Sequence, residues 1–157
     1  MLAVELGPIV KSIEVERSAD EAFRIFTQEM TSWWPLASHS RARDADGEAS
    51  IAVTIEPRIG GRVFETLNTG AQRDGGQVLA WEPGARFALL WQMGRSREEA
   101  TEVEVRFETI TDATCRVTLT HSHWERLGER GSELRGQYEG GWDFVFGERY
   151  AGRVTAG

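Results

Sequence analysis

The sequence predicts an α+β fold in which helices cover one face of an antiparallel β-sheet. Strand-like alternation fills the middle of the 157-residue chain, and helical patterns appear near its two ends. The clearest strand is residues 101–109, TEVEVRFET, in which valine and phenylalanine alternate with glutamate and arginine. Such alternation is typical of a sheet with one face in water and the other face covered. The helical segments at the two ends are the expected cover.

The N-terminal part of the chain predicts one strand followed by a helix. Residues 9–16, IVKSIEVE, carry β-branched residues in loose alternation, which is typical of a strand. Ser18 and Glu21 then have the spacing of a capping box that opens a helix. Pro35 disfavours helical geometry at the residue before it, so the helical region ends about there, as one helix or two short ones. The stripe that faces the core repeats at three- and four-residue spacing: Phe23, Phe26, Met30 and Trp33.

Residues 31–40, TSWWPLASHS, contain two adjacent tryptophans that a helix cannot point in the same direction. Neighbouring side chains on an α-helix diverge by about 100°. Trp33 continues the apolar stripe, so Trp34 is the better candidate for the rim of a ligand pocket. Residues 37–48 follow, and a polar, aperiodic loop of that length is often functional. We expect arginine and glutamate side chains of this loop to gate entry to the pocket.

Six further strands and a long final helix are predicted in the rest of the chain. Proline and glycine separate the alternating segments, as at Pro57 and at Pro83–Gly84. The final helical pattern carries a wide aromatic stripe suited to lying across a sheet. Gly140 and Gly141 interrupt it, and each weakens a helix interior by roughly 1 kcal/mol relative to alanine. The stripe consists of Leu134, Tyr138, Trp142, Val145, Phe146 and Tyr150.

Composition and charge exclude several classes of protein. The chain is 40% hydrophobic and 27% charged, with a mean hydropathy of −0.40, and it has no apolar run of about 18 residues, which a membrane-spanning helix requires. Its net charge of −7 argues against a nucleic-acid partner, which needs a basic face. Glu5 stands where a signal peptide needs an apolar segment, so we expect a cytoplasmic protein without membrane insertion. The length predicts a single domain over residues 1–157.

Four motifs, in order over about residues 9–154, carry a resemblance to a known family. They are VERSADEAFRIFTQEMTSWWP, IEPRIGGRVFE, GGQVLAWEPGARFALLWQM and HSHWERLG…YEGGWDFVFGERY. The chain resembles the Hsp90-ATPase-activator homologue (AHSA1-like) branch of the START-like, or SRPBCC, superfamily. The resemblance implies one START-like domain with the helix-grip fold, in which a curved antiparallel sheet of about seven strands wraps around a long C-terminal helix. One departure is local, since Gly76-Gln77-Val78 stands where the family pattern has tryptophan–glycine–valine.

The resemblance also implies a binding function. Superfamily members are similar in having a deep apolar cavity for lipids, polyketides, hormones or other hydrophobic molecules. We therefore expect a small hydrophobic or amphipathic ligand between the sheet and the C-terminal helix, and no cofactor. The six tryptophans agree with this, because they overfill a small core unless some line an open pocket. The expected lining residues are Trp34, Trp91, Phe107, Leu119, His121 and Trp142.

Two histidines stand two residues apart on a predicted strand, so their side chains leave the same face unless the strand bulges. We expect His121 at the cavity wall, bonded either to a ligand or to a buried polar partner. His123 either follows it or is turned to solvent by a bulge at the strand end. No metal is expected, because the third histidine, His39, lies in the polar loop and no HExxH motif is present.

A second hypothesis makes the same cavity the active site of a metal-free enzyme of the cyclase or dehydratase kind. His121 would act as the general base, with Glu65 or a tyrosine assisting, since cyclisation in a pocket needs mainly orientation and one proton shuttle. The face on which Glu65 lies stays undecided, because Val63 and Leu67 share it while Phe64 takes the other face. Cys115 is expected to be unreactive core packing.

A third hypothesis is a protein-interaction module that acts on a chaperone or forms a homodimer. This function requires an exposed apolar patch instead of a cavity.

Overall fold

A seven-stranded antiparallel sheet forms the body of the protein in the computed structural model, which describes residues 7–36, 50–92 and 96–155. The strands lie in the order β1-β7-β6-β5-β4-β3-β2, and the sheet curls into a half-barrel around the C-terminal helix. This confirms the predicted α+β helix-grip fold. The strands are β1 (Ile9–Val15), β2 (Ser50–Ile55), β3 (Arg62–Leu67), β4 (Gln72–Glu82), β5 (Arg86–Trp91), β6 (Thr101–Thr111) and β7 (Thr114–Ser122).

The main helices lie near the two ends of the chain, as predicted. The first begins after Ser18, whose hydroxyl oxygen accepts a hydrogen bond from the Glu21 N–H at 3.2 Å. No helix in the described ranges is long and apolar enough to cross a membrane. The helices are α1 (Ala19–Gln28), α2 (Gly131–Phe144) and α3 (Ala151–Thr155), with a π-helical stretch (Val145–Tyr150) between the last two and short 3₁₀ segments at Met30–Ser32, Arg97–Glu99 and Trp124–Arg130. Residues 131–155 are called the C-terminal helix below.

The covered face of the sheet and the helices enclose an aromatic core. Phe23 and Phe26 of α1 contact Phe107 of β6, with ring centroids 5.3 and 6.3 Å away. Phe26 also contacts Tyr150 of the C-terminal helix, with ring centroids 4.7 Å apart. The predicted alternation of β6 is confirmed, since its inward-facing Val103, Val105 and Phe107 are buried. This core joins α1, the sheet and the C-terminal helix into one packed unit.

The π-helical stretch explains how one face of the C-terminal helix stays on the sheet. The C-terminal helix carries a buried residue at every fourth position, and each of these side chains is at most 3% exposed: Trp142, Phe146, Tyr150 and Val154. In a regular α-helix, such spacing drifts by about 40° at each step and about 120° over the three steps. The wider i→i+5 turn of Val145–Tyr150 takes up an extra residue and offsets that drift.

The segment of residues 29–34 is fixed from two sides. Nε of Arg149, on the C-terminal helix, donates a hydrogen bond to the carbonyl oxygen of Trp33 at 3.0 Å. On the other side, the Thr31 hydroxyl donates to the carbonyl oxygen of Val53 and accepts from its N–H, both at 3.0 Å. The helix and β2 therefore hold the segment that presents Trp34.

Glu29 adds an electrostatic connection at the start of this segment. Its carboxylate pairs with Arg24 of α1 and with Arg153 of the C-terminal helix. Partial desolvation acts to raise the pKa of Glu29, but the hydrogen bonds and charges of the two arginines outweigh it and hold the pKa below its usual value.

Two phenylalanines on the C-terminal helix test the packing of this core. Phe146 is 1% exposed and contacts Tyr150, whereas Phe144 is 38% exposed. We expect Phe146→Ala to lower the free energy of unfolding by about 3–5 kcal/mol, because it leaves a cavity in a packed core. Phe144→Ala is the control and should change it by much less. Urea unfolding of the two variants measures the difference, and equal losses would contradict the assignment of Phe146 to the core.

Candidate functional site

A small pocket lies beside Trp34, where residues 29–34 meet strands β2 to β5. It holds about 20 Å³ of space that a water molecule can enter, enough for about one water. Pockets for drug-sized ligands are typically about 300–1,000 Å³, so a larger ligand requires a wall residue to move. The lining residues are Met30, Trp34, Val53, Val63, Phe64, Glu65, Gly75 and Trp91.

Among the lining residues that the structure describes, Glu65 is the charged one, and it lies on the covered face of β3. The face that the sequence left undecided is therefore the inner one, shared with Val63 and Leu67. Glu65 is 7% exposed, and its Oε1 accepts a hydrogen bond from the Ser50 hydroxyl at 2.5 Å. Arg73 stands directly opposite on β4, which puts both side chains on the same face of the sheet.

The chemistry available to Glu65 follows from its surroundings. A carboxylate accepts hydrogen bonds and can accept a proton. Burying it among apolar side chains costs several kcal/mol unless polar partners compensate. Ser50 supplies one such partner. The pocket therefore combines an apolar wall with one strong hydrogen-bond acceptor.

A β-bulge in β4 forms another part of the wall. Val63 pairs with Gly76 and the next residue, Phe64, pairs with Asp74, so Gly75 is the extra residue in β4. The carbonyl oxygen of Gly75 accepts a hydrogen bond from the N–H of Gln92 at 2.9 Å. A Cβ at Gly76 would lie 2.0 Å from the carbonyl oxygen of Leu90, so only glycine fits there without a shift. This close approach accounts for the glycine at residue 76 of this chain.

Three tryptophans connect the pocket to the C-terminal helix. Trp34, Trp91 and Trp142 form a triangle with ring centroids 5.6 to 6.2 Å apart. Trp34 is 9% exposed and the other two are each 3% exposed. The sequence predicted a cavity between the sheet and the C-terminal helix. In the structure, these three rings pack against one another at that place. The pocket lies at the Trp34 and Trp91 side of this triangle.

His121 is fully buried beyond the triangle, with both ring nitrogens engaged by protein atoms. The indole N–H of Trp142 donates to Nδ1 at 3.0 Å, and Nε2 lies 2.7 Å from the Thr101 hydroxyl oxygen. Because an indole nitrogen is only a donor, Nδ1 carries no proton and Nε2–H donates to Thr101. The sequence predicted that His121 is bonded either to a ligand or to a buried polar partner, and in the structure it is bonded to the buried partners Thr101 and Trp142.

The six residues predicted to line a cavity separate into three groups. Trp34 and Trp91 line the pocket. Trp142 and His121 stand behind it, in contact with Trp91. Phe107 packs in the core against α1, and Leu119 of β7 is fully buried. In this structure the last two lie in the packed core instead of at the pocket.

The other reactive side chains lie away from the pocket. His123 has a left-handed backbone with φ 69° and a 40% exposed side chain, 3.5 Å from Glu102 and 3.3 Å from Glu125. The strand end therefore turns it to solvent. Burial raises the pKa of the Cys115 thiol, which disfavours the reactive thiolate. Within residues 7–36, 50–92 and 96–155, no three His, Cys, Asp or Glu side chains are grouped to hold a metal.

Part of the site was missed by reasoning from the sequence. Ser50, Met30 and Gly75 were not singled out, although the adjacent Gly75 and Gly76 within a strand pattern are a signal for a bulge. The predicted gate at residues 37–48 and His39 lie outside the described residues.

Comparison with known proteins begins with a family model. The model for activator of Hsp90 ATPase homologue 1-like proteins matches residues 16–149. No curated protein matches the chain.

Solved structures share the fold. An anthrahydroquino-γ-pyrone synthase, Txn09, is 26% identical with a TM-score of 0.62, over 94% of this chain and 97% of its own. Protein MLL2253 from Mesorhizobium loti is 16% identical, with a TM-score of 0.64 over 91% and 93% of the two chains. CalU16 from Micromonospora echinospora is 18% identical, with a TM-score of 0.61 over 95% and 76%.

Two glycines test the geometry of the bulge. We expect Gly76→Ala to destabilise the protein by roughly 1–3 kcal/mol, because the new methyl group collides with the Leu90 backbone. Gly136→Ala, with open space around the new methyl group in α2, should stabilise it by roughly 0.5–1 kcal/mol. Thermal unfolding of both variants measures the contrast. A Gly76→Ala protein as stable as the parent would show that β4 is not closely apposed to β5 here.

Proposed function

The chain belongs to the family of activator of Hsp90 ATPase homologue 1-like proteins, and from that premise we propose that it binds a small aromatic molecule with a hydrogen-donating group in the pocket beside Trp34. The observation that carries the proposal is the carboxylate of Glu65 within a mainly apolar wall. The cytoplasmic location predicted from the sequence is part of this proposal.

Glu65 is a charged residue at a position of β3 that faces the core. It lies on the same face of β3 as Val63 and Leu67. An apolar residue at this position would cover the core without the free-energy cost of burying a charge. A carboxylate at this place is explained by recognition of a donor, such as a phenolic hydroxyl. Ser50 then helps to orient the carboxylate by donating a hydrogen bond to Oε1.

The tryptophans supply the apolar part of the binding surface. The indole N–H of Trp91 donates a hydrogen bond to the Tyr138 hydroxyl at 3.1 Å. Because this donor is already bonded, Trp91 contributes an apolar ring surface to the pocket. Aromatic rings prefer edge-to-face or offset contacts with other rings, which favours an aromatic ligand. The synthase Txn09, named for an anthrahydroquino-γ-pyrone and 26% identical, supports the same class of molecule.

Trp34 is the wall residue that must move when a ligand larger than water enters. It is the more exposed member of the tryptophan triangle and lies at the end of the segment that β2 and the C-terminal helix hold. Movement of the Trp34 side chain enlarges the pocket at the expense of its contacts with Trp91 and Trp142. Ligand binding should therefore change tryptophan fluorescence.

The test is titration with N-phenyl-1-naphthylamine, a neutral aromatic probe with one N–H donor. The protein should bind it saturably, with quenching of tryptophan emission. Trp34→Ala and Glu65→Gln should each weaken binding by about tenfold or more, because they remove the ring contact and the charged acceptor. Trp81→Ala and Glu56→Gln, outside the pocket, are matched controls. Absence of saturable binding to the folded parent protein would refute the proposed function.

A second candidate function is catalysis of proton transfer in the same pocket, as in a cyclase. The favouring observation is that Glu65 lines the pocket, whereas both ring nitrogens of His121 are bonded to Trp142 and Thr101 behind it. A carboxylate held in a mainly apolar site is suited to act as a general base. The proposed base of the cyclase hypothesis is therefore Glu65, with Ser50 positioning it.

This second candidate predicts exchange of acidic C–H protons in a bound ketone. In D₂O, the protein should accelerate deuterium incorporation next to the carbonyl of 2-tetralone, measured by proton NMR against a buffer blank. Glu65→Gln should remove the acceleration, while Glu56→Gln should keep it. Binding of 2-tetralone without any acceleration would leave a binding protein and exclude the enzyme.

A further inference from the structure

One side chain joins two walls of the pocket. Met30 and Trp34, on the segment of residues 29–34, form one wall, and Val53 of β2 belongs to another. Between them, the Thr31 hydroxyl donates to the carbonyl oxygen of Val53 and accepts from its N–H, both at 3.0 Å. A single hydroxyl thus binds both backbone groups of one residue. This pair of hydrogen bonds is called the Thr31 clasp below.

The two walls are held to the rest of the protein unequally. Trp33 anchors the segment to the core, since it is 1% exposed, its indole N–H donates to the carbonyl oxygen of Ile25 at 3.0 Å, and its own carbonyl oxygen accepts from Arg149. In the described part of the chain, β2 is an edge strand that pairs with β3. The Thr31 clasp is exposed to solvent, so water can replace its hydrogen bonds. The wall that can move is therefore β2.

Resting on the proposed binding function, we propose that the Thr31 clasp is the gate of the pocket. In the closed form the pocket has room for about one water molecule, so an aromatic ligand requires another conformation. Opening the clasp lets β2 move away and gives the Trp34 side chain room to turn, while Trp33 stays buried. Thr31 is therefore a positioning residue, which sets the fraction of molecules that are open.

A gate of this kind has an unusual consequence for affinity. The apparent affinity of a ligand that binds only the open form is lowered by the fraction of molecules that are open. Removal of the clasp raises that fraction, so a variant that loses two hydrogen bonds should bind the ligand more tightly. Each net hydrogen bond changes an equilibrium by a factor of about 2 to 10. Damage to the pocket or to the fold would instead weaken binding.

The experiment is titration of the parent protein and its variants with N-phenyl-1-naphthylamine. Thr31→Val keeps the shape of the side chain without the hydroxyl, and it should bind the probe about five- to tenfold more tightly than the parent. Thr31→Ser keeps the hydroxyl and should bind like the parent. Thr111→Val is the control, because it removes a hydroxyl that accepts from the Ala113 N–H at the turn between β6 and β7. Its affinity should be unchanged.

Circular dichroism shows whether each variant is folded. If Thr31→Val does not fold, Thr31→Ala takes its place with the same expectation. Equal or weaker binding of the probe by the folded variant would overturn the gate.

A measurement without ligand separates the gate from the binding function. Acrylamide quenches accessible tryptophans, and the emission of Trp34 is obtained by comparing each protein with its Trp34→Phe counterpart. Trp34, which is 9% exposed in the closed form, should be quenched more strongly in Thr31→Val than in the parent. Unchanged quenching would contradict the gate. If no protein binds the probe although Trp34 becomes more accessible, the binding function fails and the gate stands.

Discussion

The hydrogen bond from the Trp142 indole to Nδ1 of His121 joins the C-terminal helix to the sheet at the level of the site. It sets the tautomer of the imidazole and, through the Nε2–H bond to Thr101, the orientation of the ring. Trp142 in turn contacts Trp91 and Trp34. The shape of the pocket thus depends on a buried polar pair that the pocket itself does not contain, as is common where a second layer of contacts orients a site.

Regular elements supply the core, whereas irregular ones supply the site. The alternating strands and α1 build the packed phenylalanine contacts around Phe107. The pocket instead depends on a 3₁₀ turn at Met30–Ser32, which leads to Trp34, and on the bulge at Gly75. Such local irregularities change the direction of side chains while the hydrogen bonds between the surrounding strands are kept.

Most of the fold was predictable, because periodicity reports directly on which face of a strand or helix is covered. The seven strands and the long final helix follow from that rule, and the start of α1 after Ser18 follows from the capping-box spacing of Ser18 and Glu21. The residues and contacts of the site were harder to predict from the sequence. The alternation of residues along β7 placed His121 on the covered face of the sheet. It could not identify the hydrogen-bond partners Thr101 and Trp142, because they are distant from His121 in sequence. The bulge pairs two residues of β3 with three of β4, and no alternation pattern within one strand reveals it.

The π-helical stretch has a consequence for the evolution of the C-terminal helix. The stretch holds one residue more than a regular helix needs between Trp142 and Val154, so a chain that lost one residue there could form a straight α-helix with both ends still facing the sheet. Deletion of one residue is therefore tolerable at Val145–Tyr150, whereas deletion of one residue between Trp142 and Val145 without loss of the π-helical turn would rotate Trp142 away from His121 by about 100°. Relatives aligned along this helix are expected to carry their gap at the π-helical stretch.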